Sequence, residues 1–262
     1  MSAIRRVSKV VRSRATLEGA GVHLHRAIGF GDPKLTDPFL LLDDFRNDVP
    51  EHYLAGFPWH PHRGIETITY MLRGNVEHGD SLGKQGVISP GDVQWMTAGS
   101  GIIHQEMPKG DSQGAMHGFQ LWANLPAASK MMDPRYREVK SAEIPEAKVG
   151  NARINVITGA VDGVQGPGRD VVTDTEYLEV SLPAGTSFTH ATPLGHTVFA
   201  YVIGGKGVFC DQKDPYSYES EGGNYFDMER GAQLGDRHLV IFGDGEAVKV
   251  STKAEAVRFL LI

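Results

Sequence analysis

Cysteine is almost missing: Cys210 stands alone among 262 residues. That excludes an intramolecular disulfide and fits a reducing, cytoplasmic setting. It also removes every Cys-x-x-Cys metal or redox motif. No His-Glu-x-x-His and no phosphate-binding Gly-Lys-Ser/Thr loop occurs, and Gly99-Ser100-Gly101 fails the nucleophile-elbow spacing. No apolar run approaches the ~20 residues of a membrane span, and no secretory signal pattern opens the chain. Positive charge is short as well. A net charge of −6 argues against a direct nucleic-acid surface, which needs a basic face. One local exception exists in Arg5, Arg6, Lys9, Arg12 and Arg14, an acid-free start with the composition of a transit peptide. The apolar residues Ile4, Val7, Val10 and Val11 between those cations make it read as a first strand.

Glycine, by contrast, is plentiful at 32 residues, and with proline it recurs at short intervals, as turns between short strands require. Hydrophobic content of 40% and charged content of 22% are those of an ordinary globular protein. Extended segments are expected at Glu66 to Leu72, Val87 to Ile88, Val93 to Met96, Gly118 to Trp122, Ile154 to Ile157, Tyr177 to Leu182, Val198 to Ile203 and Leu239 to Phe242. This regular spacing predicts an all-β fold of sandwich or barrel type with few short helices. Pro126 to Lys148 breaks the rhythm with charges, Pro134 and Pro145. It is expected to connect (127–150) an N-terminal domain (1–126) to a C-terminal one (151–262). The halves echo each other. Glu66 to Gly74 can be laid over Thr197 to Gly205 with apolar and glycine positions largely in register, which predicts a duplicated barrel. In that register His60 falls on Ala191, His62 on Pro193 and Glu66 on Thr197, so the second copy lacks the polar set of the first.

That polar set is His60-Pro-His62-Arg63-Gly64-Ile65-Glu66, followed by His104-Gln105-Glu106. Side chains two apart on a strand share a face, at a backbone separation of about 6.6–7 Å. His60, His62 and Glu66 would therefore share a face if the stretch is extended, as would His104 and Glu106. Imidazoles converging with a carboxylate make a transition-metal site and not a calcium or magnesium cage. Five candidate ligands thus stand for what is usually a four-ligand set. The other histidines (His52, His78, His117, His190, His196 and His238) fall outside the pattern, and His23-Leu-His25 lacks a following Glu and Pro-Gly turn. Asp43 and Asp44, adjacent on a strand, point to opposite faces and are expected to cap or pair. Gly204-Gly205-Lys206-Gly207 reads as an inter-strand turn.

The His-x-His, the Glu that follows, and Pro90-Gly91-Asp92 with His104 resemble the two motifs of the cupin superfamily. The chain is more similar still to the pirin family of two-domain cupins. Asp37 to Phe45, Phe57 to Thr67, Pro90 to Glu106 and Gln120 to Pro126 carry this likeness, and the second half matches through its barrel pattern. The resemblance implies two antiparallel β-barrels, a bicupin, with a metal only in the N-terminal one. It also implies His60, His62, His104 and Glu106 as ligands. Glu66 would then orient a ligand or the neighbouring backbone. The long spacing from Glu66 to Gly74 departs from the generic cupin motif and agrees with the pirin one.

Such a set leaves one or two coordination positions open, the logic of non-haem Fe(II) oxygenases. Fe(II) is the metal that the resemblance implies, with O2 as co-substrate; geometry alone admits Mn, Ni, Co, Cu or Zn. The resemblance implies a quercetinase-type dioxygenase, which opens the central ring of a flavonol and releases carbon monoxide. In that reading the cation lowers the pKa of the flavonol hydroxyl, and Glu106 accepts its proton as general base. Phe57, Trp59, Met96, Ile103 and Met107 are expected either to line a cavity for a small aromatic substrate or to belong to the barrel core. The alternative is a regulatory protein whose bound metal tunes its binding to a transcriptional or metabolic partner. A substrate-sized cavity above the imidazoles favours the enzyme, and a blocked one the regulator.

Overall fold

The computed structural model describes residues 2–31, 33–168, 171–211, 214, 217–221 and 231–262. It is all-β, with one four-residue α-helix and three short 3-10 turns among the described residues. Every segment expected from the sequence to be extended lies in a strand, save that Val198 stands just before the strand that opens at Phe199. No described helix is long and apolar enough to cross a membrane. The chain forms two compact units, each a barrel of antiparallel strands: residues 14–143, and residues 1–13 with 144–262.

The first of these holds a seven-stranded sheet. Its order is Arg135–Val139, Val93–Thr97, Ile65–Arg73, His117–Asn124, Phe39–Asp44, Val22–Ile28 and Arg14–Glu18. A four-stranded sheet of Phe57–His62, Ile102–Lys109, Asn75–Asp80 and Gln85–Ile88 completes the barrel. Alternation along the strands supplies the core. Val22, Leu24, Phe45, Met71, Val76, Ile88 and Met116 meet in one buried cluster, and Ile65, Met96, Ala98 and Ile102 in another. Met96 thus belongs to the core and not to a cavity wall.

In the other unit the central sheet runs Glu146–Val149, Ala152–Thr158, Tyr177–Leu182, Val257–Leu261, Phe199–Phe209, His238–Phe242 and Val7–Arg12. The strand Phe199–Phe209 is the counterpart of Ile65–Arg73. Gly74 and its partner Gly205 both take positive φ, 74° and 69°, a backbone open at little cost only to glycine. A Cβ would stand 2.8 Å from the carbonyl oxygen of Lys109 in one and 1.9 Å from that of Ala256 in the other.

The units divide between residues 143 and 144, inside the expected connector, but that stretch is no free linker and residues 1–13 join the C-terminal unit. Arg135–Val139, inside the connector, pairs antiparallel with Val93–Thr97 and extends the seven-stranded sheet. Glu146–Val149 pairs with Ala152–Thr158 in the other unit. The opening strand Val7–Arg12 lies antiparallel to His238–Phe242, so its apolar residues are covered by chain more than 200 residues away, which no local pattern announces. Nor is Arg5 an exposed cation. It is 1% exposed; it donates to Thr192 Oγ1 at 2.7 Å and to the carbonyls of Pro193, His196 and Gly243 at 2.6, 3.1 and 2.8 Å.

Candidate metal centre

His60 and His62 sit on Phe57–His62, whose antiparallel partner carries His104 directly opposite His60. Alternation turns all three rings inward. His60 Nε2 lies 3.0 Å from His62 Nε2 and 3.0 Å from His104 Nε2. The three form a group whose ligand atoms all fall within 4.8 Å of one another. His60 Nδ1 donates to the Pro58 carbonyl at 2.8 Å, which leaves the Nε2 lone pair facing the cluster. His104 Nδ1 lies 3.3 Å from the Tyr136 hydroxyl. Such a partner on the far nitrogen fixes ring orientation and tautomer in metal-ligating histidines. His62 packs against the edge of Trp122, ring centroids 5.0 Å apart.

Burial, followed by the neighbouring imidazoles, holds His62 and His104 down to about 3. Near neutral pH both rings are uncharged and present lone pairs. Three imidazoles whose Nε2 atoms crowd one point suit a divalent transition metal, and no cysteine competes for the role.

Glu106 lines the same cavity as His60 and His62, outside the group formed by the three histidines. His104 and Glu106 face inward together, as the two-residue spacing predicts. Across the sheet Glu106 is paired with His78. Its Oε1 accepts from Thr69 Oγ1 at 3.0 Å, a hydroxyl that also lies 2.5 Å from Gln120 Oε1 and has one proton for the two, and its Oε2 is 3.5 Å from Gln120 Nε2. Burial pushes the Glu106 carboxyl above its usual range against the pull of Thr69 and the nearby histidines. Glu66 behaves differently. Gly64, at φ 68°, turns the chain between two strands of different sheets, so the common face expected for His60, His62 and Glu66 does not form. Glu66 falls one residue out of phase with Thr67 and Thr69, on the opposite face of its strand. There its Oε1 accepts from Thr97 Oγ1 at 2.7 Å.

His60 and His62 open on that cavity, of about 470 Å³ within residues 14–143, well inside the size range of small-molecule sites, while His104 is buried behind them. Phe30, Phe57, Trp59 and Trp122 give it aromatic walls, and Leu24, Leu41 and Val76 add aliphatic ones. Phe30 and Trp59 are 68% and 54% exposed. Of the aromatic and apolar residues singled out in the sequence, Phe57 and Trp59 line the cavity. Ile103 is 48% exposed, and Met107 packs beside Gly56.

Sequence reasoning missed a polar group in the same wall. Arg26 donates through Nε and Nη2 to both oxygens of Asp43, at 2.8 and 2.7 Å. Its Nη1 is 2.8 Å from Glu18. Those hydrogen bonds raise the Arg26 pKa, while burial pushes the Asp43 carboxyl up despite them. Asp44, on the other face, pairs with Arg46 at 2.7 Å, so the expected opposition of the two aspartates holds. A signal was present: Arg26 shares the face of Leu24, and Asp43 that of Leu41, placing charges at apolar positions of inward faces.

Two barrels of this construction, one of them with three imidazoles that could hold a metal beside an aromatic cavity, define a cupin-type protein. The Pirin family model matches residues 21–123. The chain is 51% identical over 187 residues to a pirin-like protein of Caulobacter vibrioides, covering 71% of this chain and 67% of the relative. To human pirin it is 37% identical, covering 97% and 80%. A crystallised quercetin 2,3-dioxygenase of Acinetobacter baumannii superposes with a TM-score of 0.81 at 26% identity, over 99% of this chain and 86% of that one. The chain belongs to the pirin family.

Proposed function

We propose that this protein is a metal-dependent dioxygenase of quercetinase type, which opens the central ring of a flavonol with O2 and releases carbon monoxide. Fe(II) held by His60, His62 and His104 is the proposed metal, with Glu106 as the candidate fourth ligand and as general base. The observation that carries this reading is the cavity. A closed centre would serve structure, whereas here His60 and His62 line an aromatic-walled space of about 470 Å³ that the buried Glu106 also lines. A partner-regulating role needs no such space. The relationship to a quercetin 2,3-dioxygenase supports the same substrate class.

The cation, when bound, supplies Lewis acidity toward the flavonol hydroxyl and a redox partner for dioxygen. The chain's own residues do the rest. Glu106 takes the hydroxyl proton, and the raised pKa of its carboxyl brings it nearer to the working pH of a general base. Thr69 and Gln120 hold that carboxylate in place. Phe57, Trp59 and Trp122 offer apolar surface to a flat ring system and displace water from it.

Carbon monoxide should be detected when Fe(II)-loaded protein turns over quercetin under air. Glu106→Gln should lower turnover by about 10²–10⁴-fold with the metal still bound. His62→Ala should lose the metal itself. Stoichiometric metal without carbon monoxide, across several metals, would remove the dioxygenase reading.

A further inference from the structure

The inner face of the seven-stranded sheet carries one row of polar side chains. Arg26 is the cross-strand partner of Asp43, Asp43 of Gln120, and Gln120 of Thr69. All four line the cavity. The row runs from Glu106, which Thr69 and Gln120 contact, to the Glu18–Arg26–Asp43 group. Adjacent strands lie about 4.7–4.9 Å apart, so Asp43 is two steps, roughly 9–10 Å of backbone, from Thr69. A molecule of two linked rings spans that interval.

Charges retained on an otherwise apolar wall need a reason. An apolar pair of similar volume is often as stable as a buried ion pair, or more so. The chemistry on offer is specific. Of the five N–H donors of Arg26, three are committed to Asp43 and Glu18, and two are left to serve a ligand. The carboxylates keep spare acceptor positions. Donor and acceptor sites are thus held side by side in a fixed fork, the complement of hydroxyls that both give and accept a proton. Two carboxylates against one guanidinium also leave excess negative charge.

We propose that Arg26, Asp43 and Glu18 form a specificity subsite that receives a pair of phenolic hydroxyls on the distal ring of the substrate and repels an anionic group there. This rests on reading the cavity as the flavonol site, and the test separates the two. A purely structural alternative, a clamp between the strands Val22–Ile28 and Phe39–Asp44, makes no distinction among ligands.

Binding is read under nitrogen on metal-loaded protein, by quenching of the fluorescence of Trp59 and Trp122. The probes are an unsubstituted flavonol, its catechol-bearing counterpart, and the counterpart with a carboxylate on the same ring. The wild type should bind the catechol form about tenfold tighter than the unsubstituted flavonol, and the carboxylate form more weakly than either. Arg26→Gln should shrink the catechol preference to within about twofold and leave the unsubstituted flavonol unaffected. Glu18→Gln, at the more exposed end of the group (side chain 41% exposed), is the variant that keeps the question open if Arg26→Gln does not fold. It should narrow the discrimination against the carboxylate. Equal binding of the three probes by the wild type, or a preference untouched in either variant, overturns the subsite. A hydroxyl preference without carbon monoxide under air leaves the subsite standing and removes the dioxygenase. Turnover without preference does the reverse.

Discussion

Metal binding at pH 5 provides the sharpest test of the centre. Imidazoles must be neutral to ligate, so a metal displaces whatever protons they carry. An ordinary imidazole, with pKa near 6.5, is about 97% protonated at pH 5, and three of them would release nearly three protons. His62 and His104, held at about 3 by burial and by one another's neighbourhood, are only about 1% protonated there. The saving is about 2 kcal/mol per ring relative to an ordinary imidazole, because that much protonation need not be reversed. Nickel(II) should therefore displace almost no protons from these two rings, and at most about one proton per metal in all. The experiment belongs in Glu106→Gln, because burial raises the Glu106 carboxyl and would add a proton of its own. Glutamine keeps an oxygen for Thr69. Calorimetric titration in buffers of different ionisation enthalpy counts the protons. Two or more per metal would refute a desolvated neutral cluster.

The same rings set the acid limit of the metal-free protein. Their folded pKa values are lowered, so the unfolded chain binds more protons between about pH 6.5 and about 3. Stability should then fall with pH through that window, by up to about 1.4 kcal/mol per pH unit and ring. The raised carboxyls of Glu106 and Asp43 act in the opposite sense. Urea unfolding at pH 7 and pH 5 should therefore show a larger loss for the wild type than for His62→Gln; equal losses count against the buried neutral ring. Met96→Ala, at a fully buried position, should cost about 2–5 kcal/mol, and a loss below about 1 kcal/mol would contradict its place in the core. Tyr136→Phe removes the hydroxyl beside His104 Nδ1 and should weaken metal affinity about 10–100-fold. Unchanged affinity would deny Tyr136 that positioning role.

Much of the centre was legible because its information is local. A two-residue period turns His60 with His62, and His104 with Glu106, to a common side whatever the rest of the chain does. The repeat was legible for a similar reason. Gly74 and Gly205 hold equivalent positive-φ positions that other residues enter only with strain. Gly74 bends between two strands, whereas Gly204 to Gly207, expected as a turn, continue the strand Phe199–Phe209 past an irregularity in register. What the connector and the opening strand pair with was not legible, because neither carries its own pairing partner. The strand Arg135–Val139 becomes one only beside Val93–Thr97, and Val7–Arg12 only beside His238–Phe242.

By itself, then, the sequence determined that the protein is all-β, that it is doubled, and that two short segments present imidazoles and a carboxylate. Tertiary structure decided which of those groups meet. Cross-strand register brings His104 opposite His60, while the turn at Gly64 sends Glu66 to the far face of its strand. The same register lines up Arg26, Asp43, Gln120 and Thr69 from four separate strands along one wall. Alternation is a property of a single strand and can be counted from the sequence. Register is a relation between strands far apart in the chain, and it exists only once the sheet has formed.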